Sequence, residues 1–160
     1  KNTSNIEIFF FFLINEENNM VRFHVSYDLF DILTLKNRIE YHFNNYEDGK
    51  YNSYLIYQDI IYNPPDNTYN FSFRYELFHA EKARVYAYEN HALYPFAAGG
   101  WPRKRIRTYF VGRIKPIDKI QISGKIGFTF YDDKNEIGTG LETIKNNWHS
   151  DAKLQIILTI

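Results

Sequence analysis

The chain lacks cysteine and carries no excess of charge of either sign. The absence of cysteine excludes disulfides, thiolate metal sites and a cysteine nucleophile. The 160 residues contain 19 basic and 19 acidic side chains, for a formal net charge of zero. A general polyanion-binding protein is usually basic overall. Any anion-binding site in this chain would therefore be a local cluster of cations.

Long hydrophobic runs are also missing. The run IEIFFFFLI, residues 6–14, is interrupted by Glu7 and has neither the cationic flank nor the cleavage site of a signal peptide. It is too short for a membrane-spanning helix, which needs about 20 apolar residues. We therefore predict a buried strand here and no membrane span.

Aromatic residues are abundant, at 19% of the chain, with 14 Tyr and 14 Phe. Aromatic and β-branched residues favour the pleated, half-buried surface of a sheet. Apolar and polar residues alternate with a period of two in several segments, which is typical of strands covered on one face. These segments are residues 21–27, 38–43, 69–77, 120–130 and 153–160.

Clusters of Asn, Asp, Gly and Pro separate the alternating segments and predict tight turns. Short strands punctuated in this way are typical of a sandwich. We predict an all-β fold, an antiparallel β-sandwich of jelly-roll or immunoglobulin-like type, with roughly 8–10 strands and room for one short helix. Residues 1–160 would form a single domain.

Three segments bear further on the fold. Residues 26–37 could begin a short helix, with Asp28 as its N-cap. Residues 79–94 could be a helix or a strand, and we favour a strand in their middle. The segment from Ile122 to Thr143, ISGKIGFTFYDDKNEIGTGLET, resembles the end of secreted bacterial immunoglobulin-like modules of the FxLYD kind. This resemblance implies a sandwich and nothing specific about function.

Arginine and lysine are concentrated in the segment WPRKRIRTYFVGRIKP, residues 101–116. As a strand, it would present Ile106 and Phe110 to the core and a cationic strip to solvent. Same-face neighbours lie roughly 6.6 to 6.8 Å apart, which suits capture of successive phosphates of a single strand. The predicted ligand-binding residues are Trp101, Arg103, Arg105, Arg107, Tyr109 and Arg113. The competing interpretation is that the arginines pair with cross-strand carboxylates such as Glu76 or Glu40.

Catalytic and metal-binding signatures are not evident. The five histidines show neither HxH nor HExxH spacing, and the segment WHSD, residues 148–151, lacks the distant partners and nucleophile elbow of a catalytic triad. The acidic segment 130–140 does not follow the EF-hand ligand pattern. We therefore predict no metal, no cofactor and no catalytic residue.

The first strand carries the most specific functional prediction. Its alternation places apolar side chains on both faces, so the second face needs a cover. We predict that Phe9, Phe11 and Leu13 form an interface for self-association or a protein partner.

The function that we predict is accordingly a non-catalytic structural or binding module, such as a surface, capsid or assembly subunit. One alternative is a carbohydrate- or single-stranded nucleic-acid-binding module that uses exposed Trp and Tyr and the arginine strip 103–115. A second is an enzyme with a histidine and carboxylate site assembled by the fold. An extracellular, cell-surface or virion location is favoured over a cytoplasmic one.

Overall fold

The computed structural model describes residues 4–14, 18–81, 85–89, 98–100, 104–138 and 140–159. These residues form ten strands and one short 3-10 helix, η1 (Gly140–Glu142). The strands are β1 (Asn5–Ile14), β2 (Asn18–Leu29), β3 (Leu33–Tyr46), β4 (Gly49–Tyr62), β5 (Tyr69–Ala80), β6 (Tyr86–Tyr88), β7 (Ala98–Gly100), β8 (Arg105–Ile117), β9 (Ile120–Tyr131) and β10 (Trp148–Leu158). No helix among the described residues has the length and apolar character needed to cross a membrane.

Eight strands form one antiparallel sheet in the order β1-β2-β3-β4-β5-β8-β9-β10. Each strand therefore pairs with its neighbours in the chain, apart from the separate β6–β7 hairpin between β5 and β8. Within the described sheet, β1 and β10 each have one neighbour, so the sheet is not closed. The all-β, antiparallel prediction is confirmed, whereas the described strands do not show the two packed sheets of a sandwich.

Neither of the two segments with an uncertain assignment is helical where the structure describes it. The helix considered for residues 26–37 is wrong, because β2 and β3 meet there in a tight hairpin. Phe30 and Asp31 both have a φ of 56°, and the Ile32 N–H donates to the Leu29 carbonyl at 3.3 Å. The strand favoured in the middle of 79–94 is confirmed by β6; residues 82–84 and 90–94 lie outside the described part.

The register divides the eight-stranded sheet into two faces with opposite chemistry. We call one the outer face; the row that crosses it is Phe10, Phe23, Ile39, Ile56, Leu77, Ile106, Phe130 and Trp148. The other is the inner face; its corresponding row is Glu7, Ser26, Lys36, Asp59, Arg74, Tyr109, Gly127 and Asp151. Across the width of the sheet, the outer row is therefore apolar and the inner row is mostly polar or charged.

The apolar face of β8 is exposed and its arginine face is buried, which is the reverse of what the alternation suggested. Ile106 and Phe110 on the outer face are 41% and 43% exposed, whereas Arg105 and Tyr109 on the inner face are 4% and 1% exposed. The prediction that the arginine face of β8 is the solvent face is therefore wrong. Alternation shows that a strand has two chemically different faces, but it does not show which face other groups cover.

The inner face also holds the apolar core that the described residues form. It comprises Leu55, Tyr57, Phe78, Ala80, Val85 and Ala87. Val85 and Ala87 come from the β6 segment, and both are almost completely buried. The connection between β5 and β8 therefore covers part of the inner face.

Candidate functional site

Charged side chains on the inner face form compact ion-pair clusters. The first lies between β2 and β3, where Glu40 is the common acceptor. Arg22 Nε lies 2.6 Å from Glu40 Oε2, Arg38 pairs with the same oxygen, and His42 Nε2 lies 2.6 Å from Oε1. Glu40 is 1% exposed, so its charge depends on these partners rather than on water.

A second cluster connects β4, β5 and β8. Arg74 donates through Nε to Asp59 Oδ1 and through Nη2 to Oδ2, both at 2.6 Å. Such bidentate pairs fix both the geometry and the charge of a buried guanidinium. Arg105 Nη2 donates to Glu76 Oε1 at 3.1 Å, and the Arg74 guanidinium lies over the Tyr57 ring at 3.9 Å. Aromatic rings and carboxylates together therefore surround these arginines.

A third cluster brings together the segment after β6 and the strands β8, β9 and β10. Glu89, just after β6, lies 2.6 Å from Arg107 Nε and 2.6 Å from Lys125 Nζ. Arg107 also donates from Nη1 to Asp151 Oδ1 at 2.8 Å and to Thr129 Oγ1 at 2.6 Å. These ion pairs hold the segment that contains Glu89 against β8 and β9.

The carboxyl group of Glu89 is strongly affected by this environment. Burial opposes its ionisation, but the hydrogen bond from Lys125 and the charge of Arg107 outweigh burial and lower its pKa from 4.5 to about 2. Glu89 is therefore ionised at neutral pH. Its negative charge balances two cations that would otherwise face each other.

A glycine makes room for the Arg107–Asp151 pair. A Cβ atom at Gly127 would lie 2.9 Å from Asp151 Oδ1 and 3.1 Å from Arg107 Nη2. Gly127 pairs with Asp151 on β10 and with Tyr109 on β8. The absence of a side chain at this position lets the guanidinium and carboxylate meet directly above the strand.

The structure accounts for four of the predicted ligand-binding residues. Arg105, Arg107 and Tyr109 are buried on the inner face, and the predicted alternative, an Arg105–Glu76 pair, is confirmed. Arg113 is half-buried and donates to Asn70 Oδ1 at 2.5 Å. Trp101 and Arg103 lie outside the described residues. Ligand binding by this set stays a prediction, as do the carbohydrate and nucleic-acid alternatives.

The predicted interface residues lie on the edge strand. Phe9, Phe11 and Leu13 all belong to β1 and are exposed, Phe9 at 57%. They lie on the inner-face side, where Phe9 is next to the His24 ring and Phe11 is below the Arg22 guanidinium. The outer side of the same strand is also apolar, and Glu7 is the only charged residue of β1. All ten residues of the strand are exposed, so the prediction of a buried strand at residues 6–14 is wrong. Association through these residues stays a prediction.

The described histidines are distributed over four strands, β2, β3, β5 and β10. His42 lies against Glu40, and His79 Nε2 is 3.6 Å from Glu81. His149 stacks with Tyr131, and the His24 ring is tilted relative to the neighbouring Phe9 ring. Among the residues that the structure describes, no three His, Cys, Asp or Glu side chains are grouped so that they could hold a metal ion. The enzyme alternative stays untested.

The outer face is the most extensive uncovered surface of the described sheet. Apart from the bulge between Ile114 and Ile117, every Asp, Glu, Lys and Arg within the eight strands lies on the inner face, with the exception of Lys50. Lys50 is the second residue of β4, next to the β3–β4 turn. The face is otherwise apolar or neutral, and soluble monomers rarely expose so large an apolar patch.

Sequence reasoning missed the partners of Arg74, Arg107 and Lys125. Asp59, Glu89 and Asp151 stand in three different hairpins, and nothing near Arg74 or Arg107 in the sequence points to them. One available signal was the charge sorting itself, because the apolar side of nearly every alternating strand is free of charge. Comparison with known proteins finds no matching family model, no similar curated protein and no similar solved structure.

Proposed function

We propose that this chain is a non-catalytic structural module that docks through the outer face of its eight-stranded sheet. The observation that carries the proposal is the exposure of large side chains across that face. Residues from seven different strands, including Phe10, Ile39, Ile56, Phe73 and Ile126, are 39% to 65% exposed. Burial of apolar surface contributes about 25 cal/mol per Å², so covering this face would be strongly favourable.

The inner face supports the same assignment because its charged groups are already partnered. Arg38, Arg74, Arg105, Arg107 and Lys125 are all buried and contact carboxylates of the same chain. Side chains used in this way hold neighbouring strands together. The inner face thus serves the fold, and the outer face is left to serve the contact with a partner.

The proposal also bears on the second layer of the predicted sandwich. A second layer over the outer face would have to come from outside the described strands, either from a partner or from a second copy. The edge strand β1 would be a further contact through Phe9, Phe11 and Leu13. Replacing Phe9 with a charged residue would then weaken association. Phe9 is the better site for this change, because Phe11 lies below Arg22 and a charge there would also act on the Arg22–Glu40 pair.

The test is the association state of the full chain with and without a mild detergent. We expect the wild-type chain to associate in water and to disperse when detergent covers the outer face. The double variant Phe110→Ser/Ile126→Ser should associate less, since both side chains lie in adjacent positions on the outer face. Leu141→Ser is the matched control, because Leu141 is fully exposed but lies in η1 rather than in the sheet.

Sedimentation velocity over a range of protein concentrations gives the readout, and circular dichroism verifies that each variant keeps its β-structure. A folded wild-type chain that stays monomeric in water at every concentration would refute the docking function.

A further inference from the structure

We propose that the partner of the outer face is the hydrocarbon of a lipid bilayer, which the strands of the sheet cross. This inference rests on the proposed docking function and names its partner. It starts from charge: hydrocarbon accepts no charged group without a large cost, and the outer face offers none between the turns. Its central rows contain neutral polar side chains, Asn37, Gln58 and Thr108, but no ion.

The length of the apolar segments fits the thickness of a bilayer. In β4, the outer face extends over nine residues from Tyr54 to Tyr62, or about 27 Å at 3.4 Å per residue. A tilted strand crosses the hydrocarbon core in about 9–11 residues. The paired strands β3 and β5 have 14 and 12 residues. β3 begins level with Tyr62 and continues past Tyr54, and β5 extends past both ends of this segment.

Amphipathic aromatic residues lie at both ends of the outer face. Tyr27, Tyr62 and Tyr69 lie near the turns that join β2 to β3 and β4 to β5. Tyr41, Tyr54 and Trp148 lie toward the opposite end, and Trp148 stacks with Phe130 at 6.1 Å. Tyr and Trp prefer the two membrane–water interfaces, where the ring is in apolar surroundings and the polar atom is hydrated. Two aromatic ends around an uncharged centre match that preference.

A folded protein partner fits the same surface less well. Adjacent strands rotate by roughly 20° to 25°, so an eight-stranded sheet presents a strongly twisted surface. A rigid partner would need matching twist across about 34 Å, seven spacings of about 4.8 Å. Protein interfaces also carry about one hydrogen bond per 100–200 Å², and they usually have a polar rim. A fluid hydrocarbon phase needs neither matching shape nor hydrogen bonds.

Lipid contact places a requirement on the two edge strands. In hydrocarbon, every backbone N–H and C=O needs a hydrogen-bond partner. Within the described sheet, β1 and β10 each pair on one side only. Their free edges must therefore pair further, either with another chain or with residues outside the described part.

Single-tryptophan fluorescence tests the proposal directly. The full chain is refolded from urea in the presence of phosphatidylcholine vesicles whose acyl chains carry bromine at the bilayer centre. Three variants are compared, each lacking Trp101. One retains Trp148; the second is Trp148→Phe/Phe110→Trp, which places the probe in the middle of the face. The third is Trp148→Phe/Leu141→Trp, which places it on η1, away from the sheet.

We expect all three variants to float with the vesicles and to show a β-sheet spectrum. Quenching should be strongest for the probe at 110, weaker for Trp148 and close to zero for the probe at 141. The substitution Ile126→Arg should lower vesicle partitioning about 30-fold or more, as expected for a cation at the bilayer midplane. Leu141→Arg should leave partitioning unchanged.

Three results would overturn the lipid proposal, and the first two differ in what they say about docking. If the folded chain stays out of the vesicle fraction but forms a discrete oligomer in water, its outer face is covered by another copy and docking stands. If it stays out of the vesicles as a folded monomer, both proposals fail. Equal quenching at positions 110 and 141, with the sheet intact, would also exclude lipid contact.

Discussion

The inner and outer faces of the sheet carry side chains of opposite chemistry on the same backbone. On the inner face, charged groups such as Glu40 and Arg74 lose their water and depend on each other. On the outer face, apolar groups such as Ile56 and Phe110 remain 39% and 43% exposed. The inner face is therefore stabilised by specific ion pairs, whereas the outer face is distinguished by its lack of charged side chains.

The two faces should therefore respond differently to substitution. Removing one member of a buried ion pair leaves the other charge without compensation, which is among the most destabilising changes in a protein. Removing an exposed apolar side chain leaves no cavity and exposes no charge. The following predictions test this difference, beginning with the largest expected effect.

Glu40→Ala should cause the largest loss of stability. The change leaves Arg22 and Arg38 without their common carboxylate, at a cost of about 3 kcal/mol or more in the free energy of unfolding. Ile39→Ala is the matched control, because Ile39 is the adjacent residue on the outer face and is 49% exposed. Urea titration measures both variants under the same detergent conditions. Equal losses for the two substitutions would contradict the contrast between the faces.

Acid should weaken the third cluster through Glu89. Because its pKa falls from 4.5 to about 2 on folding, its ionised form stabilises the fold fully above about pH 5. That contribution, on the order of 2 kcal/mol, should disappear as the pH falls from about 5 to 2. The stability of Glu89→Gln should be lower at pH 7 and should change less over this pH range.

Stability of the wild type and of Glu89→Gln, measured by chemical denaturation at several pH values, provides the comparison. Parallel pH profiles for the two proteins would show that Glu89 is not responsible for the acid sensitivity.

Gly127→Ala should have a smaller effect, about 1 to 2 kcal/mol, in the range of overpacked sites. The new Cβ would press against the Asp151 carboxylate and separate it from Arg107. Gly124→Ala is a control in the same strand on the outer face, where the nearest atom to the new Cβ lies at 3.7 Å. In the Asp151→Ala background, the Gly127→Ala penalty should shrink. A penalty of the same size in that background would show that crowding of the pair is not the cause.

Much of the fold could be predicted from the alternation of residue types. The segments around Phe23, Ile39, Phe73 and Ile126 alternate with polar residues, and each lies in a strand of the sheet. The helix considered near Asp28 was wrong because two residues with positive φ turn the chain sharply at Phe30 and Asp31. Local patterns thus predicted strands well and the connections between them less well.

The candidate site could be predicted only in part. The cationic side of β8 was recognised, and so was the pairing of Arg105 with Glu76 as an alternative to a solvent-exposed strip. The role of Glu89 was not, because the segment that contains it reaches the inner face only through the long connection between β5 and β8. The distance in sequence between Arg107 and Asp151 hid their pairing in the same way.

The sequence by itself determined that this chain is pleated, that it contains no disulfide and that most strands have one charged or polar side and one apolar side. Only the tertiary structure decided which side is buried. The alternation of residue types distinguishes the two faces of a strand but does not say which of them lies inside. The loss of water from a face depends instead on which other groups cover it. Here the charged groups cover one another, and the apolar side remains open to its surroundings.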